Sequence, residues 1–178
     1  NRGNHCGVRT HAKTFAPHLF GNWEKRHPPS KKDPKATARA YLKSRSLDPD
    51  KFEFEQGTWK EQGKTITTVA FQCPWTDRRW HRLIDPPDGV GKTRWDPGDD
   101  EAYRSQAWTT GKIDPKKELW ITEGIFEVLS LQQGADLQAA ATFSASHIPS
   151  KFYDSLEPSQ KIIIALNSDR AGQEGTEK

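Results

Sequence analysis

The chain has 178 residues, enough for one ordinary domain or two small ones, with 33% hydrophobic and 29% charged residues, so the apolar core is modest and polar loops are extensive. The net charge of +3 says less than its distribution: residues 8–45 carry many Lys, Arg and His and few acids, and residues 78–104 hold Arg78, Arg79, Arg82, Lys92, Arg94 and Arg104. No apolar run approaches the ~20 residues that span a bilayer, and no signal peptide opens the sequence.

In chain order, residues 1–35 form a basic lead-in with His and Pro that reads as linker. The segment 36–44, Ala-Thr-Ala-Arg-Ala-Tyr-Leu-Lys-Ser, predicts a helix. Residues 51–85 read as strands. Phe52 and Phe54 alternate with Glu53 and Glu55, Thr65 to Phe71 is β-branched, and Trp80 to Ile84 fits a further strand. Residues 85–100, rich in Pro, Gly and Asp, predict a loop. From Leu119 the pattern changes. Leu119 to Thr122 predicts a short strand, Ile125 to Gln133 a helix, Ala139 to Phe143 a strand and Ser150 to Leu156 a short helix. Lys161 to Leu166 is the most apolar strand, on both faces, as expected at the centre of a parallel sheet. The succession β–α–β–α–β points to an α/β layer.

In such a layer, ligands bind beyond the carboxyl ends of the strands. Glu123 follows the first strand. Asn167 and Asp169 follow the last. Glu127 lies one helical turn beyond Glu123, on the same side. Carboxylates gathered there repel one another unless a cation neutralises them. Mg²⁺, which takes oxygen ligands and bridges to phosphate, suits such a set.

Other motifs carry less. Gly89-Val90-Gly91-Lys92-Thr93 has Pro86 where a P-loop needs its first Gly, and Arg94-Trp95-Asp96-Pro97 cannot continue into a helix. The two cysteines, Cys6 and Cys73, fit no disulfide framework and no CxxC site, in keeping with a reducing cytoplasm. His5, Cys6, His11, His18 and His27 match no familiar zinc spacing, and no zinc is expected within this chain. Ser144 and Ser146 lie near His147 but in no nucleophile turn. Trp75, Trp80, Trp95 and Trp108 interleave with Arg78, Arg79, Arg82, Arg94 and Arg104. This is the composition of a surface that stacks bases and pairs phosphates, and equally of tryptophans in a small core. Arg78, Arg79, Arg82, Lys92, Arg94 and Trp95 are the nucleic-acid-binding candidates.

Two stretches resemble TOPRIM domains. Leu119 to Leu131, with Glu123-Gly124 and Glu127, is similar to the Glu-containing first motif. Ile162 to Gly172 is similar to the second, an apolar strand followed by Asp-x-Asp, a small residue and Gly. The lead-in Ala38 to Leu47, the segment Phe71 to Pro86 and Ser144-Ala145-Ser146 also fit, and the wording is closest to TOPRIM primases of phages, plasmids and mobile elements. The resemblance covers residues 36–178. It implies an α+β upstream subdomain (residues 36–116) that binds template. An α/β, Rossmann-like TOPRIM subdomain with a parallel sheet (residues 117–178) would follow it, truncated at its C-terminus. It implies catalytic roles for Glu123, Glu127 and Asp169, and a Mg²⁺ (or Mn²⁺) site at Glu123, Asn167 and Asp169. Gly124 and Gly172 would allow tight turns near phosphate. The implied activity is that of a DNA primase, a nucleotidyltransferase making RNA primers from ribonucleoside triphosphates on single-stranded DNA, with a replicative helicase as a further partner. A TOPRIM nuclease and a degenerate nucleic-acid- or helicase-binding module are the alternatives. The sequence departs from the family at Asn167, where an Asp is expected. Asn still offers an oxygen but no charge, so metal affinity should fall.

Overall fold

The computed structural model describes residues 37–98 and 104–167, together with 172, 174 and 176. The described residues fall into two compact units that meet in sequence between Ala102 and Tyr103.

The first unit opens with helix α1 (Ala38–Ser44), whose N-cap Thr37 accepts a hydrogen bond from the Ala40 N–H at 3.1 Å. Strands β1 (Glu55–Glu61), β2 (Lys64–Gln72), β3 (Arg79–Leu83) and β4 (Thr93–Trp95) follow. They form an antiparallel meander in the order β1-β2-β3-β4. Gln62 and Gly63, both at positive φ (50° and 71°), make the two-residue turn between β1 and β2, the geometry that matches the twist of a hairpin. Thr93–Trp95 is a strand inside the segment read as loop. Three residues are too few to show an alternation, and β4 is held by its register against β3: Trp80 opposite Trp95, His81 opposite Arg94, Arg82 opposite Thr93. Because Thr93 opens a strand and not a helix, the Gly-Lys-Thr sequence forms no P-loop.

Alternation along the strands gives this sheet two faces. Val69, Phe71, Trp80 and Arg82 lie on one, with α1 packed over β2 and Leu42 fully buried. The other carries Thr68, Ala70, Arg79 and His81. Here a part-buried polar chain links β2, β3 and the residue that follows β4. His81 Nδ1 lies 3.2 Å from Thr68 Oγ1, and His81 Nε2 lies 2.8 Å from Asp96 Oδ1. Asp96 also accepts from Arg79 Nε at 2.9 Å. Burial pushes the Asp96 carboxyl up, but the Arg79 and His81 hydrogen bonds outweigh it and hold the group below the usual carboxylate range. A depressed pKa stabilises the fold above the unfolded value, about 3.9, and that contribution disappears as pH falls through the folded one. On acidification below about pH 4, the melting temperature of the wild type should therefore fall more steeply than that of Asp96→Asn, as followed by circular dichroism. Parallel curves would show that Asp96 carries no such linkage.

The second unit holds β5 (Trp108–Thr109), β6 (Leu119–Thr122), helix α2 (Ile125–Ala135), β7 (Gln138–Ala141), helix α3 (Ser150–Asp154) and β8 (Ile162–Ile164). The sheet order is β5-β7-β6-β8. Strand β6 runs parallel to both β7 and β8, and β5 runs antiparallel to β7. The β–α–β–α–β succession is thus present in a partly parallel sheet.

Two expectations are corrected. Residues 104–116 do not belong with the upstream sheet: Trp108 pairs with Ala141 and Ala107 sits in the core with Leu119, Ile121, Ala140 and Phe152. The most apolar strand is also not the central one among the described residues. Strand β6 lies between β7 and β8, while Ile162 and Ile164 of β8 are 38% and 42% exposed. Apolarity on both faces records what a strand can tolerate, and the order of strands is set by the connections.

The core is built on β6. Leu119 and Ile121 pack beneath α3, and buried Ile125, Phe126, Val128 and Leu129 of α2 cover the sheet from β7. Replacing fully buried Leu119 by Ala should cost about 2–5 kcal/mol in chemical unfolding. A loss below 1 kcal/mol would mean that β6 is not the core strand. Among the described residues, no helix is long and apolar enough to cross a membrane.

Candidate active site

The connection from β6 leads to β7 on one side, and the chain then returns past β6 to β8 on the other. In sheets wound this way, the crevice opens between the carboxyl ends of the two strands where the winding reverses. Here those strands are β6 and β8. Glu123 follows β6 directly, and Asn167 lies three residues beyond β8. The Ala165 N–H bonds the Ile121 carbonyl at 2.8 Å, so the pairing continues to the edge of the site.

Across that crevice Asn167 Nδ2 donates to Glu123 Oε2 at 2.6 Å. Both residues are half-buried. A carboxylate can only accept, so the amide presents its NH₂. The Asn thus supplies the positive end of a dipole where a second carboxylate would have required a cation. A half-turn of the amide would present Oδ1 instead, and the pair would then offer two oxygen ligands of the kind Mg²⁺ takes.

Glu127 stands in the first turn of α2 beside its N-cap, Gly124, where the helix dipole favours negative charge. A Cβ added at Gly124 would lie 2.5 Å from Glu127 Oε2. A side chain there would make this flexible carboxylate swing aside. At Gly172 the obstacle is backbone, since an added Cβ would run into the Asn167 carbonyl oxygen. Gly172→Ala should destabilise the fold by about 1–3 kcal/mol in thermal or chemical unfolding. A change within ±0.5 kcal/mol would show that the close approach is not needed.

The third strand end adjoins the same edge. Thr142 N donates to the Thr122 carbonyl at 3.0 Å, and Thr142 Oγ1 donates to the Ser144 carbonyl at 2.9 Å. Ser144 Oγ and Ser146 Oγ share a hydrogen bond of 3.0 Å. This fixes the turn with no sign of an activated nucleophile.

Asp169, the third acid of the expected set, lies outside the described residues, as do His5, Cys6, His11, His18 and His27. Among the described residues, no cluster of three or more His, Cys, Asp or Glu could hold a metal. Cys73 is buried and its thiol is pushed up to about 12, mainly by burial. Its thiol is therefore protonated at neutral pH, which argues against a nucleophilic role.

The basic candidates of the first unit divide sharply. Arg78 is 8% exposed and spends its guanidinium on the Asp96 carbonyl, with Nε at 2.7 Å. Arg79 pairs with Asp96 and with Glu55 at 2.6 Å. Arg94 pairs with Glu61 at 3.0 Å. These three are committed within the sheet. Arg82 donates from Nε to the Tyr41 hydroxyl at 2.9 Å, and no carboxylate pairs with it among the described residues. Lys92 is exposed and Trp95 is half-exposed. Arg45, one helical turn beyond Tyr41 on α1, stands beside the same hydroxyl.

Two solved structures have a similar fold. Against the primase of Aquifex aeolicus, solved with its zinc-binding and RNA polymerase domains, the TM-score is 0.54 at 12% identity, over 95% of this chain and 59% of that one. Against a DNA primase domain from Pseudomonas aeruginosa the values are 0.53 and 16%, over 95% and 63%. The chain thus spans about three fifths of each. No family model and no curated protein matches the sequence.

Proposed function

We propose that this chain is the core of a primase-type nucleotidyltransferase of the phage, plasmid or mobile-element kind, with a TOPRIM acidic site, that makes short RNA primers on single-stranded DNA. The observation that carries the reading is the Asn167–Glu123 hydrogen bond at the carboxyl ends of β6 and β8. It brings together the two motifs that resemble TOPRIM sequences. The fold shared with two DNA primases supports it.

In this reading Glu123 accepts the proton of the attacking 3′-hydroxyl while Asn167 orients its carboxylate. Glu127 adds negative charge at the mouth of the crevice, and Gly124 and Gly172 keep the backbone close to the phosphates. Glu123, Asn167 and Asp169 would hold Mg²⁺ or Mn²⁺, which when bound neutralises charge on a nucleoside triphosphate. The substrates are ribonucleoside triphosphates and a single-stranded DNA template, and a replicative helicase is the natural partner.

End-labelled single strands incubated with the protein, with and without ribonucleotides, test the reading. Growth of new RNA that depends on ribonucleotides and divalent metal is the expected result. Metal-dependent shortening of the strand would replace the primase by a nuclease, and the absence of either product would leave a nucleic-acid-binding module.

A further inference from the structure

We infer that the turn after β7, residues 143–146, holds the phosphate tail of the nucleotide through its backbone N–H groups and the Ser146 hydroxyl. This rests on the primase reading and names the part of the substrate that the third strand end receives. The turn belongs to the same edge of the sheet as Glu123. Strand β7 runs parallel to β6, and Thr142 is fastened to Thr122, the last residue of β6, by two bonds to its carbonyl, from N at 3.0 Å and from Oγ1 at 3.3 Å. Adjacent strands lie about 4.8 Å apart, so the turn starts one strand spacing from the residue that precedes Glu123.

The backbone of the turn is unusual. Phe143 has φ 66°, in the left-handed region that a bulky side chain rarely enters, while Ser144 and Ala145 are back at negative φ. Such strain persists where the surroundings over-determine it, and it clusters at ligand clamps. Here the Ser144 carbonyl accepts from Thr142 Oγ1 at 2.9 Å and from the His147 N–H at 3.4 Å, and Ser144 Oγ accepts from the Ser146 N–H at 3.3 Å. The N–H groups of Ser144 and Ala145 are left without an acceptor among the described residues, although Ala145 is only 7% exposed. Buried N–H groups are nearly always paired. Two in succession, after a change of hand in the chain, make a concavity for an anion. The exposed Ser146 hydroxyl, 3.0 Å from Ser144 Oγ, adds a donor at its rim.

Charge decides which part of the substrate goes there. Residues 142–149, Thr-Phe-Ser-Ala-Ser-His-Ile-Pro, contain no acid, whereas Glu123 and Glu127 stand at the end of β6. The carboxylates attract a cation and repel phosphate. The N–H and O–H donors of the turn bond phosphate oxygens with no negative charge beside them. A nucleoside triphosphate carrying a divalent cation matches both halves of this edge.

Ala145 is the second residue of the turn that the His147 N–H closes on the Ser144 carbonyl, a position that suits proline. Ala145→Pro therefore deletes one N–H and keeps the turn. Calorimetric titration with ATP in Mg²⁺, beside adenosine and an oligodeoxythymidylate, tests the assignment. Ala145→Pro should weaken ATP binding about tenfold, the usual loss of a hydrogen bond to a charged group, and Ser146→Ala should weaken it several-fold. Adenosine and the oligonucleotide should bind as they do to the wild type. If Ala145→Pro fails to fold, Ser146→Ala, a change at an exposed side chain, decides alone. Wild-type ATP affinity in the folded variants would overturn the assignment. So would a loss for the oligonucleotide equal to that for ATP, which would give the turn to the phosphates of the strand. Weakened ATP binding in the variants, with no RNA made by the wild type, would keep the phosphate seat and remove the primase. RNA synthesis by the wild type, with ATP affinity unchanged in the variants, would do the reverse. No ATP binding by the wild type would remove both.

Discussion

Asn167→Asp should bind Mg²⁺ at least about tenfold more tightly than the wild type, a gain of about 1.4 kcal/mol. The amide nitrogen of Asn167 now lies 2.6 Å from the Glu123 carboxylate and satisfies it. An Asp in that place puts two carboxylates in contact, and two such groups cannot both ionise there without a cation. The variant should therefore melt below the wild type in chelator. With added Mg²⁺ the order should narrow or reverse, because a ligand that binds only the folded state stabilises it by mass action. The crossing of the two melting curves is the informative result. A variant that loses stability equally with and without Mg²⁺ would show that the crevice does not receive the metal, and the degenerate binding module would then become the better account.

Glu123→Gln should lower primer synthesis by about 10²–10⁴-fold, the usual contribution of a positioned general base. The change keeps the size of the side chain and removes the proton acceptor. It also lets two amides face each other across the crevice, and one of them can turn to restore a hydrogen bond, so stability should change by less than ~1 kcal/mol. Binding of single-stranded DNA should not weaken, because the change removes no positive charge. An unchanged rate in Glu123→Gln would remove Glu123 from the chemistry.

Much of the second unit was legible because its elements are short and strongly apolar. Leu119 to Thr122, the α2 segment and Ala139 onward were each read within a few residues. The convergence of Glu123 with Asn167 followed from strand-end logic alone, since both lie just beyond parallel strands. The order of the strands was not legible. Ile162 to Ile164 is more apolar than Leu119 to Thr122, yet β6 holds the centre because the chain leaves it in one direction and returns on the other. Trp108–Thr109 and Thr93–Trp95 are two and three residues long, too short to show a period, and exist as strands only through their partners.

The arginines show a different kind of illegibility. Arg79 finds Glu55 24 residues away and Arg94 finds Glu61 33 residues away. A run of basic residues read locally looks like a free positive surface. The register of the meander was needed to show that Arg79 and Arg94 are balanced and that Arg82 faces the other way. His81 reads as one more basic residue, but it is buried between Thr68 and Asp96 and works as a tie between strands.

Incorporation of labelled ribonucleotides on a single-stranded DNA template, in Mg²⁺ or Mn²⁺, with wild type beside Glu123→Gln, tests the central claim most directly. The account predicts short RNA products from the wild type that are lost in Glu123→Gln while template binding persists. RNA products of equal yield from both proteins, or cleavage of the template in place of synthesis, would contradict it.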